Sequence, residues 1–277
     1  MDSVQKVQSW PVDHAATVVV GTGGVRGDAG DGARVFALAS VTKLLVAYGV
    51  LVAVEEGAVE LDQPAGPPGS TVRHLLAHAS GLAFGERTVA AEPGAKRIYS
   101  SAGYEVLAEF VAEHTGFDFA DYLREGVFEP LGMSRSALTG PAGHGAESTV
   151  DDLERFAAEL LAPTLLAPST VAEATTVQFP GLAGLLPGYG SQRPNDWGLG
   201  FEIRDGKSPH WTGDTNSAAT FGHFGQSGTF LWVDPALQVA CVALTDRDFG
   251  DWAKPLWREF SDSVVAEVAE VRRIGSV

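Results

Sequence analysis

Cysteine, long apolar runs and excess positive charge are all scarce in this sequence. Cys241 is the only cysteine among 277 residues, which excludes a disulfide within the chain, and its apolar surroundings indicate a buried strand thiol. No apolar run approaches the ~18 residues that a membrane span needs. The formal net charge of -16 argues against nucleic acid or anionic membrane surfaces as partners, because both attract clustered lysine and arginine.

The N-terminal residues also lack a secretory signal. They have neither a basic start nor the roughly 7–15-residue apolar core of such a signal, so we predict a cytoplasmic protein. A chain from which a leader had been removed would begin in the same way.

Strand patterns occur at both ends of the chain and helical patterns in its middle. The strand patterns cover residues 15–20, 34–38, 197–203, 218–222, 229–233 and 238–244, and a closing helix covers 252–271. This order predicts a sheet assembled from both termini, approximately 1–59 and 190–277, with a helical lobe, approximately 60–189, inserted between them. A length of 277 residues favours one compact unit, and we expect a ligand site in the cleft between the two lobes.

Ser40 and Lys43 lie one helical turn apart at the start of a strongly apolar helix. The segment 44–54 is apolar on every side, which is typical of a helix inside a protein, so Lys43 is expected to lose solvent. Burial and the positive end of the helix dipole both lower a lysine pKa. A neutral amine beside a serine hydroxyl can accept its proton and make it nucleophilic.

A second interpretation of Ser40 is structural. Serine commonly caps a helix N-terminus, although this would explain Ser40 and not Lys43. Another Ser-x-x-Lys pattern occurs at Ser3 and Lys6, in a polar terminus that we expect to be poorly ordered and without a helix behind it.

Two further segments carry candidate site residues. Tyr99, Ser100 and Ser101 precede a helix that begins near Gly103; either serine could cap it, or Tyr99 could act as a phenolate that accepts the Ser40 proton. The segment 222–228 has three glycines spaced three apart within a strand pattern. It is either a twisted hairpin edge or a strand whose backbone and histidine line a cleft.

These three elements, Ser40-x-x-Lys43, Tyr99-Ser100-Ser101 and His223-Phe224-Gly225, together resemble the active-site elements of serine β-lactamases and penicillin-binding proteins. The likeness is to the branch of class C enzymes, D-alanyl-D-alanine carboxypeptidases and esterases. Segments 74–82, 130–133 and 228–235 are also similar to recurring segments of that branch, and the likeness covers about 36–246.

The resemblance implies an α+β fold with an antiparallel sheet flanked by helices and an all-helical lobe. It implies that Ser40 attacks, that Lys43 and Tyr99 move the proton, and that His223 polarises Tyr99 or contacts substrate. The backbone N–H groups of Ser40 and Gln226, next to Gly225, would hold the oxyanion, and water would release the acyl group.

Ser101 departs from the family pattern, because the second element usually ends in an asparagine that contacts the substrate amide. A hydroxyl is shorter and makes fewer hydrogen bonds. This favours a carboxylesterase acting on small esters, without a cofactor, over recognition of a β-lactam or peptide amide. A β-lactamase or D,D-peptidase and a non-catalytic binding module remain alternatives, and the sequence leaves the oligomeric state open.

Two other hydrolase types fit less well. An α/β-hydrolase needs a Gly-x-Ser-x-Gly motif, which the chain lacks. His74 and His78 are spaced four apart like zinc ligands, but Leu75 stands where zinc peptidases have glutamate, so helix packing is the simpler interpretation and we predict no metal.

Overall fold

Strands occur mainly towards the two ends of the described chain, residues 1–275 of the computed structural model, and most helices lie between them. In chain order the strands are β1 (Ala15–Gly21), β2 (Gly24–Ala29), β3 (Phe36–Ala37), β4 (Ala137–Leu138), β5 (Ala146–Ser148), β6 (Gly184–Leu186), β7 (Gly190–Gln192), β8 (Glu202–Ile203), β9 (Phe221–Gly225), β10 (Thr229–Asp234) and β11 (Val239–Thr245). The α-helices are α1 (Thr42–Glu55), α2 (Val72–Leu76), α3 (Ser101–Thr115), α4 (Phe119–Leu123), α5 (Val150–Leu161), α6 (Pro168–Ala174) and α7 (Ala253–Gly275). Two 3₁₀ helices cover Ser3–Ser9 and Ala39–Val41.

Within residues 1–275, the main sheet has six strands in the order β2-β1-β11-β10-β9-β8, and all neighbours are antiparallel. It is built from the two ends of the chain, which confirms the predicted α+β fold with an antiparallel sheet. Two small sheets, β3-β5-β4 and β6-β7, lie outside it.

Both faces of the main sheet are buried. Val19, Trp232 and Cys241 pack in the apolar cluster that includes α7 and the N-terminal 3₁₀ helix, while their neighbours Val18 and Val242 pack in the cluster that includes α1 and α5. This alternation follows from the period of two in a strand. Cys241 is the buried strand thiol that the sequence predicted.

Helix α1 runs through the larger apolar cluster, and every residue from Thr42 to Ala53 is buried. This explains why the helix has no polar face: it contacts protein on all sides. Its N-terminal end, which carries Lys43, is therefore enclosed as well.

The structure corrects several element boundaries. Strand β2 was missed, because its glycines and exposed residues give no apolar alternation. The strand predicted at 197–203 is reduced to β8, since Gly200 has a φ of +94° and bends the chain. The strand predicted at 218–222 lies instead at β9, and the Ser3 segment forms a 3₁₀ helix against α7 where we expected poor order.

The lobe limits stay a prediction. Helix α5, which falls in the predicted helical lobe, packs against β1 and β11. None of the helices within residues 1–275 combines the length and the apolar character that crossing a bilayer requires.

Candidate active site

Ser40 lies in the 3₁₀ turn Ala39–Val41 that leads into α1. The capping interpretation is wrong, because neither the turn nor the helix start has a side-chain cap. Ala39, the preceding residue, has a φ of +44°, a conformation that costs a non-glycine residue about 1–3 kcal/mol. Such strain is found where surrounding structure fixes a functional residue, and here it presents Ser40 at a surface of the cavity described below.

The hairpin of β9 and β10 holds this turn in place. Thr229 Oγ1 donates to the carbonyl of Leu38 at 2.9 Å, and Ser227 Oγ donates to that of Ala37 at 2.7 Å. Gly225 approaches the same backbone so closely that a Cβ atom there would lie 2.3 Å from the Leu38 oxygen. The glycine of the third sequence element therefore allows the sheet edge to contact the Ser40 turn.

We expect Gly225→Ala to destabilise the protein by about 2 kcal/mol or more and to lower turnover, because backbone must move to admit the methyl group. Urea denaturation and ester hydrolysis would measure the two effects. Gly23→Ala is the matched control, since a Cβ there has nothing within 4 Å. Equal stability of the two variants would contradict the close-approach argument.

The Lys43 amine is fully buried and has three oxygen neighbours. Nζ lies 2.7 Å from the Gly143 carbonyl, 3.1 Å from Ser101 Oγ and 3.4 Å from Ser40 Oγ. Burial lowers the Lys43 pKa from 10.5 to about 7, although Glu105 partly opposes this shift. A neutral amine has two N–H donors for Gly143 and Ser101 and one lone pair for the Ser40 O–H, which matches the three contacts.

The other Ser-x-x-Lys pattern has a different environment. Ser3 Oγ donates to Glu267 at 2.6 Å, and Lys6 forms an exposed ion pair with Glu259 at 2.6 Å. Its serine and lysine therefore bind separate carboxylates of α7, so the pattern alone does not create a reactive pair.

Tyr99 is brought next to this pair. Lys43 Nζ lies 4.6 Å from the centre of its ring, and the buried Oη makes no hydrogen bond within residues 1–275. Burial raises the Tyr99 pKa, an effect that the nearby Ser40 hydroxyl only partly offsets. The raised Tyr99 pKa favours a neutral phenol over the predicted phenolate. Together with the lowered Lys43 pKa, it makes Lys43 the better proton acceptor.

His78 fixes the backbone on both sides of Tyr99. Its carbonyl accepts from the Ile98 N–H at 2.9 Å, and its Nδ1 accepts from the Ser100 N–H at 3.1 Å. The imidazole also packs on the Tyr99 ring at 4.7 Å. From the sequence, His78 was a helix-packing residue or, less simply, a metal ligand; its place in an otherwise apolar segment was the signal that could have indicated this role.

His74 and His78 have different neighbours and do not form a shared metal site. His74 contacts Thr71 and the ring of Phe179, whereas His78 is buried against Tyr99. Among residues 1–275, no group of three or more histidine, cysteine, aspartate or glutamate side chains is arranged to hold a metal.

His223 and Gln226 line the same cavity as Ser40 and Tyr99. His223 Nδ1 donates to the Phe224 carbonyl at 2.6 Å, which leaves a buried Nε2 lone pair without a partner in the described chain. Burial and Lys43 lower the His223 pKa to about 3, so the ring is neutral at ordinary pH. Gln226 is exposed, and its side chain donates to the Phe249 carbonyl at 3.1 Å.

Ser101 and Gly225 are close to the site without lining this cavity. Ser101 opens α3 and contacts Lys43, while Ser100 caps that helix by accepting from the Gly103 N–H at 3.0 Å. Ser101, which stands where the family motif usually has asparagine, thus forms a hydrogen bond with Lys43.

The cavity next to Ser40 measures about 150 Å³ and is largely aromatic. Its apolar lining consists of Phe84, Tyr99, Leu186, Pro187, Trp197, Trp211 and Phe224. An apolar cavity of about this size in a protein holds a benzene molecule. The site therefore fits a small apolar group attached to the serine.

Glu202 also lines the cavity and was not predicted from the sequence as a site residue. Its carboxylate is buried and contacts Lys207, His210 Nε2 at 2.9 Å and Trp211 Nε1 at 2.9 Å. Burial alone would raise the Glu202 pKa, but His210 and Lys207 lower it well below its usual range. The ionised group thus anchors one aromatic wall through Trp211, and the signal was a single acidic residue within an apolar strand pattern.

The chain belongs to the Beta-lactamase family, whose model matches residues 12–265. It is therefore a serine hydrolase of the β-lactamase type, which confirms the predicted resemblance. Among solved structures, a beta-lactamase from Mycobacterium bovis is 60% identical, with a TM-score of 0.95 over 96% of this chain and 99% of that one.

Two other relatives are more distant. Penicillin-binding protein 4* of Bacillus subtilis is 27% identical over 136 residues, which are 37% of this chain and only 30% of that protein. EstCE1, a hydrolase with promiscuous acyltransferase activity, shares the fold with a TM-score of 0.77 at 18% identity, over 95% of this chain and 97% of that one.

Proposed function

We propose that this serine hydrolase is a carboxylesterase that cleaves small uncharged esters through an acyl-enzyme on Ser40. The observation that carries this proposal is the aromatic cavity of about 150 Å³ beside the serine. It has room for a short or ring-sized acyl group, and its apolar lining favours such a group over a polar one.

In the proposed reaction, Lys43 takes the Ser40 proton while Oγ attacks the ester carbonyl carbon. The backbone N–H groups of Ser40 and Gln226 hold the resulting oxyanion, and such donors typically contribute ~2.7–4 kcal/mol each. The C–O bond then breaks, and the proton passes by way of the Tyr99 phenol to the departing alcohol. The reverse sequence with water releases the acid and restores Ser40.

The charges around the cavity support an uncharged substrate. Penicillins and D-Ala-D-Ala peptides carry a carboxylate, which a cation would normally bind. The described residues that line the cavity include no lysine or arginine. Nearby, Lys207 is paired with Glu202, and the Arg97 guanidinium donates to carbonyl groups, among them those of Ala77 and Asn195.

β-Lactam hydrolysis is the second candidate. The 60% identity with the Mycobacterium bovis beta-lactamase favours it, since the two chains match over almost their whole length. The two reactions share the acylation step and differ in the group that the cavity must accept.

One experiment separates the candidates. The protein is incubated with p-nitrophenyl acetate and butyrate, with nitrocefin and with a D-Ala-D-Ala peptide, each beside Ser40→Ala. Ester turnover that depends on Ser40 and exceeds nitrocefin turnover supports the esterase. Faster nitrocefin turnover supports the β-lactamase, and a penicillin adduct without turnover of any substrate supports a non-catalytic binding module.

We expect kcat/KM for a short ester to rise with pH through about 7, because only the neutral Lys43 amine can accept a proton. His223, with a pKa of about 3, contributes no inflection above pH 5. Glu105→Gln removes the negative charge that raises the Lys43 pKa and should move the inflection to lower pH.

Glu109→Gln is the matched control for this profile, since Glu109 lies one turn further along α3 and pairs with Arg87. It should leave the inflection in place. A profile that is flat between about pH 5.5 and 8.5, or one that Glu105→Gln does not move, would contradict Lys43 as the base.

A further inference from the structure

A second apolar depression adjoins the cavity. This groove encloses about 470 Å³, roughly three times the cavity volume, and shares Phe84, Tyr99 and Pro187 with it. Ile98 and Leu185 extend its apolar lining away from Ser40. The two spaces are therefore neighbours with common wall residues, and one is small and the other large.

The groove exposes apolar side chains that a folded chain would ordinarily cover. Phe84 is 61% exposed and Leu185 is 63% exposed, and both line the groove. Adjacent exposed apolar residues of this size often mark a ligand-binding surface. Their position beside the serine makes the substrate the natural occupant.

The walls of the groove are held by the backbone. The Phe84 carbonyl accepts from the Ser101 N–H at 2.7 Å, which ties its loop to the start of α3. On the other side, Gly184 bridges to Arg97, and a Cβ at Gly184 would lie 2.3 Å from the Arg97 oxygen. The groove is thus formed before a ligand arrives.

The chemistry at Ser40 decides which part of an ester enters which space. The acyl group stays bonded to Ser40 and must fit the small cavity, whereas the alcohol has to depart and needs the compartment that opens to solvent. Two cationic residues are among the described residues that line the groove: Lys96 is exposed at the rim, and the Arg97 guanidinium binds backbone carbonyls. An apolar alcohol therefore fits better than an anionic one.

We propose that the groove is the alcohol subsite and that the preferred substrates are esters of a short acid with a large apolar alcohol. This inference rests on the proposed esterase function. It predicts the orientation of the bound ester: a large apolar group is accepted on the alcohol side of the carbonyl and rejected on the acyl side.

Octyl acetate and ethyl octanoate test this orientation, because they are isomers that carry an eight-carbon chain on the alcohol side and on the acid side of the ester, respectively. We expect kcat/KM, measured by acid release, to be at least about tenfold higher for octyl acetate. Each methylene buried against apolar wall contributes up to about fourfold, and several can contact the groove. Equal rates, or a preference for ethyl octanoate, would overturn the proposal.

Leu185→Asp tests the groove itself, since Leu185 lines the groove and not the cavity. It should lower kcat/KM for octyl acetate about five- to tenfold and lower kcat/KM for ethyl acetate, whose two-carbon alcohol leaves most of the groove unfilled, much less; a merely structural defect would lower both equally. Val89→Asp is the matched control, because Val89 is 57% exposed outside the groove and should change neither.

The outcomes also separate this inference from the function on which it rests. Turnover of p-nitrophenyl acetate without discrimination between the isomers would reject the groove and keep the esterase. Failure to hydrolyse any ester would reject the esterase. A preference for 2-acetoxypropanoate that Lys96→Gln abolishes would show an anionic occupant and overturn the apolar assignment.

Discussion

Replacing Ser40 by alanine is expected to lower ester turnover by on the order of 10³-fold or more and to abolish the acyl-enzyme. The variant loses the atom that forms the covalent bond, and loss of a nucleophile in serine hydrolases has effects of this size or larger. Lys43, Tyr99 and the cavity would remain in place, because the Ser40 side chain caps no helix. The measurement is p-nitrophenyl butyrate hydrolysis, with mass spectrometry of protein quenched during turnover.

The chain provides its own control in Ser3→Ala. This serine belongs to the second Ser-x-x-Lys pattern but contacts Glu267 rather than Lys6. The variant should keep full activity with at most a modest loss of stability. Acylation of a peptide that does not contain Ser40, or near-normal turnover by Ser40→Ala, would refute the assignment of the nucleophile.

Much of the proposed site could be predicted from the sequence, because the reactive pair consists of residues that are close together along the chain. Ser40 and Lys43 are one turn apart on a helix whose apolar residues already indicate burial, so their proximity and the lowered Lys43 pKa followed from the pattern. For Tyr99 and His223 the residues alone left a structural and a functional interpretation open, and the family resemblance favoured the functional one; their rings lie 5.5 Å apart in the structure. Their roles remain proposals.

Residues whose importance depends on distant contacts could not be found in this way. Glu202 reaches the cavity only because β8 pairs with β9, and its partners His210 and Trp211 come from a loop without regular pattern. His78 matters through the backbone at residues 98 and 100, twenty or more positions away. Neither the contacts of Glu202 nor those of His78 can be predicted from a local sequence pattern.

The fold shows the same division between local and distant information. Helix α1 and strand β11 were recognisable from their own apolar residues. Strand β2 was not, because its stability comes from pairing with β1 and not from its own side chains. The left-handed backbone at Ala39 is likewise imposed from outside, by the contacts of the β9–β10 hairpin with the turn.

Lys43→Met should abolish activity and at the same time stabilise the protein at neutral pH. In the unfolded chain the amine keeps its proton up to pH 10.5, whereas in the fold its pKa is about 7. Between these values the unfolded state binds more protons, so wild-type stability rises with pH over this window. At pH 7 the penalty is about 4 kcal/mol, at about 1.4 kcal/mol for each unit of pKa.

Methionine removes that penalty but leaves the Gly143 carbonyl and the Ser101 hydroxyl without the amine. Each buried partner left without its hydrogen bond costs about 1 kcal/mol or more, so we expect a net gain of up to about 2 kcal/mol in the free energy of unfolding at pH 7. Urea denaturation at pH 6.5, 8 and 9.5 would measure it. The gain should shrink by about 1.4 kcal/mol for each pH unit between 7 and 10.5, because releasing the proton that the unfolded lysine holds costs less as pH rises.

Lys207→Met is the decisive comparison, because Lys207 is equally enclosed but pairs with a carboxylate. Removing this partner leaves the buried Glu202 charge with His210 and Trp211 alone, and breaking such a pair typically costs about 3–5 kcal/mol. Two buried lysines replaced by the same residue should therefore change stability in opposite directions. If Lys43→Met were also destabilising at pH 7, or if its advantage did not decline toward pH 9.5, the amine would not be held near neutrality by burial, and it would be the wrong base for Ser40.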